Sequence, residues 1–224
     1  APKNSDNPQR AERFAELLTA SAIGERRGLL VATVKSEQVV FADVPVDSWF
    51  APFVSSVISE EIATGYEDEQ GNPTGQFGAI NPVTLAESLK MSLQAASLEL
   101  TAGTPRNISA EGSWASSFVA QAESMKLDVF TPDRNVHEAA TRSEVVHTIL
   151  QVLGLPVAPN SSSPFTDLPA GHKYAKSIST AYLYGIMTGD TDSEGNPLGT
   201  VRPDDTINRA EVSKMIALIK DLFK

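Results

Sequence analysis

The sequence predicts a mainly α protein made of three tandem helix–loop–helix units, with short hairpins or strands in the loops. Three observations predict it. The stretch Asn208-Arg209-Ala210-Glu211 precedes an apolar pattern of helical spacing and recurs, altered, as Thr141-Arg142-Ser143-Glu144 and Thr84-Leu85-Ala86-Glu87. An Asn or Thr three residues ahead of a Glu is the signature of a capping box, so each stretch marks a helix start. Second, Phe41-Ala42-Asp43-Val44-Pro45 returns as Phe165-Thr166-Asp167-Leu168-Pro169, 124 residues later. The same offset carries Thr64-Gly65 onto Thr188-Gly189, Gly71-Asn72-Pro73 onto Gly195-Asn196-Pro197, and Lys90-Met91 onto Lys214-Met215. A register held over that distance marks a duplicated unit. Third, a shorter copy lies between: Trp114, Phe118 and Val119 follow Trp49, Phe53 and Val54 by 65 residues, whereas Thr141 follows Thr84 by 57. The middle copy therefore lacks eight residues, the length of the D-x-x-G-N-P-x-G loop found in the other two.

In chain order, residues 1 to 8 are polar and proline-containing and read as a disordered lead. A helix is expected from Arg10 to about Gly24, followed by strand-like runs at Leu29 to Val34 and Val39 to Phe41. The first repeated helix takes its cap from Asp47 or Ser48 and tolerates Pro52 because that residue falls in the first turn. Trp49 and Trp114 open their helices, and the last copy has Lys173 there, with Tyr174 beside it. The loops Asp68 to Gly75 and Asp192 to Gly199 suit short hairpins. The domain boundaries expected are 1–40 for an N-terminal lead and helix, 41–103 for the first unit, 104–158 for the shortened second, and 159–224 for the third.

Composition excludes several classes of function. Eighteen basic against 28 acidic side chains give a formal net charge of -10, which argues against nucleic-acid or anionic-lipid binding through a diffuse positive field. An anion would have to be held by a few placed cations. With no cysteine, disulfides, thiolate metal sites and a cysteine nucleophile are ruled out. No apolar run is long enough to span a bilayer, and no signal peptide is visible. His137, His147 and His172 lack zinc-ligand spacing, and the EF-hand-like run Asp190 to Gly195 has Val201 at the twelfth position instead of Glu. Neither a metal nor a cofactor is expected, and no nucleophile elbow or paired carboxylates point to an enzyme.

The arginine of the repeated stretch is the residue without a local structural reason. At the first helical position it is expected to point outward, with its charge at the helix end that prefers anions. Its forked donors suit a carboxylate or phosphate; the competing reading is a surface salt bridge, which contributes little.

Three units combining F-x-D-[VL]-P, an aromatic-started helix, a glycine-rich loop and [TN]-R-[AS]-E resemble the S-layer homology family, from about Phe41 to the C-terminus. The resemblance implies a pseudo-threefold module around a central helical bundle, with ligand grooves between neighbouring units. It implies non-covalent anchoring of an exported, secreted bacterial protein to the cell wall, through an acidic, often pyruvylated, polysaccharide or a peptidoglycan-linked glycan. The candidate ligand-binding residues are Arg142, Arg209, Trp49, Trp114, Asp43, Asp167, Gly65 and Gly189. The tryptophans could stack on a sugar face or serve as core anchors, and the aspartates are expected mainly to cap turns beside proline. The first copy departs from the pattern with Leu85 in place of arginine, so its groove is expected to be weakened or repurposed, and the stripe Leu85, Leu89 and Leu93 is expected to be covered, by the Arg10 to Ile23 helix. The alternative is a structural module that self-associates in a surface layer and binds no glycan.

Overall fold

A computed structural model describes residues 28–100, 103–158 and 163–222. The expected N-terminal helix lies outside them. Six helices and one two-stranded sheet make up the regular structure of the described residues, so the chain is mainly helical. The chain divides into two compact units, Ala1–Ala79 and Ile80–Lys224.

In the first unit, β1 (Leu29–Val34) and β2 (Glu37–Pro45) form an antiparallel hairpin. Lys35 and Ser36 make its turn, both with positive φ (49° and 69°), the two-residue geometry that matches strand twist. Alternation along β2 buries Val39 and Phe41 on one face, and Val44 is buried beyond them, where the pairing shifts register between Leu29 and Leu30. Helix α1 (Ala51–Ser59) follows, with Pro52 in its first turn as its missing N–H allows. The expected side-chain cap is absent: the Ser48 hydroxyl donates to the Pro45 carbonyl (2.7 Å) and builds the preceding turn instead. The D-x-x-G-N-P-x-G loop is a tight hairpin, with Glu67 bridged to Pro73 and the Asp68 carboxylate accepting from the Gln70 and Asn72 amides (2.9 and 2.8 Å).

The second unit holds α2 (Leu85–Ala95), α3 (Ser116–Ser124), α4 (Arg142–Val152), α5 (Ala175–Leu183) and α6 (Arg209–Leu222). Helices α2, α4 and α6, which close the three copies, pack on one another, while α3 lies on α2 and α5 on α4. Their starts are joined by a cyclic set of backbone hydrogen bonds. Val83 donates to the Ile207 carbonyl (3.1 Å), Ile207 to that of Ala140 (3.1 Å), and Ala140 to that of Val83 (2.8 Å). All three side chains are buried, so the ring forms in a dry environment where its amides need these partners. The stripe Leu85, Leu89 and Leu93 is buried throughout, and each leucine contributes about 2 kcal/mol of apolar transfer. Gly154, at φ 62°, ends α4 with the Leu155 amide bonded back to the Leu150 carbonyl (2.9 Å).

Candidate functional site

The three closing helices start alike. Thr84, Thr141 and Asn208 each accept from the amide of the Glu three residues on, and each of these glutamates returns Oε2 to the cap amide (2.8, 3.0 and 3.0 Å). Every capping glutamate thus keeps Oε1 for another partner, and that partner is an arginine. Glu211 Oε1 accepts from Arg142, Glu87 Oε1 lies 3.7 Å from Arg209, and Glu144 Oε1 accepts from Arg134 Nη2 (3.1 Å).

The outward-pointing arginine expected from sequence is therefore corrected. Arg142 is 5% exposed and spends Nε on the Val201 carbonyl (2.8 Å) besides pairing with Glu211. Arg209 is nearly as enclosed, with a side chain 12% exposed. The charge that a helix start disfavours is compensated by a carboxylate from the neighbouring helix. Arg134 carried no motif and was not singled out in the sequence. What could have flagged it is its place ten residues ahead of a capping Glu in the one copy whose partner helix begins with leucine.

The helices that open the copies start differently. Neither Phe50, Ala115 nor Tyr174 caps with its side chain, and the residue before each cap faces solvent or lies along the surface. Trp49 and Trp114 are 54% and 53% exposed, so they are not core anchors. Trp49 packs edge-on against Phe50 (5.4 Å). Trp114 leans on Phe118 (6.1 Å), and Lys90 Nζ from α2 lies 6.0 Å and 5.9 Å from these two ring centres. At the corresponding place in the next copy, His147 from α4 stacks on Tyr174 (4.6 Å) and is bonded to Ser177 Oγ and Asp128 (2.7 and 2.8 Å), while Lys173 Nζ covers the Tyr174 ring (4.6 Å). Burial pushes the Tyr174 phenol up, against the opposing pull of Lys173.

Asp43 and Asp167 act over long range. Asp43 accepts from the Phe77, Gly78 and Ala79 amides (2.8, 2.7 and 3.1 Å), and Asp167 from those of Val201 and Arg202 (3.0 and 2.8 Å). Each clamps the far end of its own loop, a stronger constraint than the local cap expected beside proline. The middle copy has a substitute that the sequence reading missed: buried Asn107 donates Nδ2 to the Thr131 and Arg134 carbonyls (2.7 Å each) and accepts from the Ala110 amide (3.0 Å).

Gly65 and Gly189 are required by close approach. At Gly189 (φ 79°) a Cβ would sit 2.5 Å from the Phe165 ring and 2.7 Å from the Thr200 carbonyl oxygen; at Gly65 (φ 82°) the Phe41 ring and the Gln76 carbonyl oxygen are both 2.8 Å away. These glycines seat the phenylalanine of F-x-D and so belong to the same clamp as the aspartates. In the EF-hand-like run, Asp190 is taken by Arg202 (Nε 2.9 Å, Nη2 2.8 Å) and the Thr200 hydroxyl (2.9 Å), and the Arg202 hydrogen bonds hold its carboxyl below the ordinary value of 3.8. Among the described residues, no helix is long and apolar enough to cross a membrane.

A search of curated proteins gives no match. A scan of protein families does: residues 164–213, from the proline before Phe165 to the second turn of α6, match the S-layer homology domain. That segment holds the Asp167 clamp, Gly189 and the capping box of α6. S-layer homology domains bind cell-wall polymers and tether surface proteins; they are binding modules and not a catalytic family. Over these residues, which lie in the last copy, the chain is similar to an S-layer homology domain.

Proposed function

We infer that the protein is a non-covalent cell-wall anchoring module of an exported bacterial surface protein. It holds an acidic wall polysaccharide or a peptidoglycan-linked glycan at the grooves where the closing helix of one unit meets the opening helix of the next. The units are 41–103, 104–158 and 159–224, and their closing helices α2, α4 and α6 gather about a pseudo-threefold axis, a reading supported by the cyclic bonding of Val83, Ile207 and Ala140.

The observation that carries the functional reading is the half-exposed Trp114 beside Lys90. An aromatic face suits the apolar face of a sugar ring, and an ammonium within reach of the same ligand supplies the placed cation that a chain of net charge -10 requires. Trp49 is likewise half-exposed in the first copy. In this reading Arg142 and Arg209 fix the helix starts that border the grooves, and Asp43, Asp167, Gly65 and Gly189 hold the loop walls.

Sedimentation with purified wall sacculi, before and after the acidic polymer is stripped, tests this. Binding that falls on stripping is expected. Equal binding in both cases, or none in either, overturns the polymer reading, and concentration-dependent light scattering without any glycan would favour a self-assembling surface-layer module instead.

A further inference from the structure

Two of the three closing helices begin with arginine and one with Leu85, which is completely buried. The partners of the two arginines follow a rule. Arg142 of α4 reaches the capping glutamate of α6, and Arg209 of α6 reaches that of α2. By the same rule an arginine at position 85 of α2 would reach Glu144 of α4. Glu144 nevertheless has its guanidinium, supplied by Arg134 from the loop ahead of α4 (3.1 Å).

That loop is built to aim it. The Arg134 amide donates to the Thr131 carbonyl (3.1 Å), and its carbonyl accepts from Nδ2 of Asn107, a residue with no exposed surface (2.7 Å). Arg134 also pairs with Glu138 (2.5 Å), but the Glu138 side chain is 54% exposed and its pair contributes little, whereas that of Glu144 is 15% exposed. The result is one guanidinium at each capping glutamate of the three helix starts: Arg209 at Glu87, Arg142 at Glu211, and Arg134 at Glu144 with Glu138 beside it.

The geometry points to Arg134 as the relocated third arginine, a positioning residue that holds Glu144 and with it the start of α4, which borders the grooves of the reading above. Its part in binding rests on the wall-anchoring reading above; its part in the helix starts does not.

A double-mutant cycle separates the two. Arg134→Leu is expected to lower the melting temperature by about 3 °C, to have almost no further effect once Glu144→Gln is present, and to be matched by no more than about 1 °C for Glu138→Gln. Independent, additive effects of Arg134→Leu and Glu144→Gln overturn the relocation. Assayed well below its melting point, Arg134→Leu is expected to bind sacculi roughly threefold more weakly, with Arg134→Lys recovering part of the loss because it keeps charge without the fork. Unchanged binding by folded Arg134→Leu, where the unsubstituted protein binds, overturns the positioning role in recognition. If the unsubstituted protein itself fails to bind, the wall reading falls and the melting cycle still decides the place of Arg134.

Discussion

The closing and opening helices of this chain start in opposite ways. Helices α2, α4 and α6 begin with a complete capping box, a buried or nearly buried first turn and a carboxylate shared with an arginine. Helices α1, α3 and α5 begin without a side-chain cap, and two of them place a half-exposed tryptophan just ahead of the first turn. A start whose capping groups are satisfied by protein has little left to offer a ligand. A large aromatic left in solvent forgoes burial energy that folding would otherwise gain, and its ring stays accessible. Both kinds of start carry a conspicuous residue in the sequence, arginine in one and tryptophan in the other, and only burial tells their roles apart.

The strongest test of that contrast is Arg142→Ala. It leaves Glu211 and the Val201 carbonyl without their buried donor and is expected to cost about 3 kcal/mol in denaturant unfolding. A loss near that of a surface pair, well under 1 kcal/mol, would place this start with the ligand-facing group instead. Trp114→Ala should show the converse: a change in stability below about 1 kcal/mol, with a loss of sacculus binding of about 2 kcal/mol, the size of an aromatic hot spot. Full binding by this variant would remove the opening helix from the groove.

A smaller effect concerns acid stability. Arg202 holds the Asp190 carboxyl below its ordinary 3.8, so the stabilisation is complete above that pH and is lost as pH falls through the depressed folded value. Asp190→Asn removes this contribution, and its unfolding curves between about pH 4 and pH 2 should be flatter than those of the parent protein. Identical acid limbs would show that the Asp190–Arg202 pair does not couple to folding.

Much of this was legible in the residues. The capping boxes at Thr84, Thr141 and Asn208 form as the spacing predicts, because a cap is an interaction within four residues and needs no tertiary partner. The strand-like runs at Leu29 to Val34 and Val39 to Phe41 form strands, though the second reaches from Glu37 to Pro45 and their pairing as a hairpin shows only in the structure. The Asp43 clamp was misjudged because its partners lie 34 to 36 residues away, a distance over which a one-dimensional pattern gives no geometry. Asn107 and Arg134 escaped notice for the same reason: each repairs a feature missing from the middle copy or its neighbour, and neither repeats.

The sequence alone determined where the three capped helices start, since capping and turn chemistry act over a few residues. Tertiary structure decided which conspicuous side chains are spent inside the protein and which stay exposed. Arg142 and Trp114 sit at comparable helix starts and differ tenfold in exposure, 5% against 53%. That difference comes from what packs across from each residue, because desolvation and ion pairing depend on neighbours that chain order does not specify.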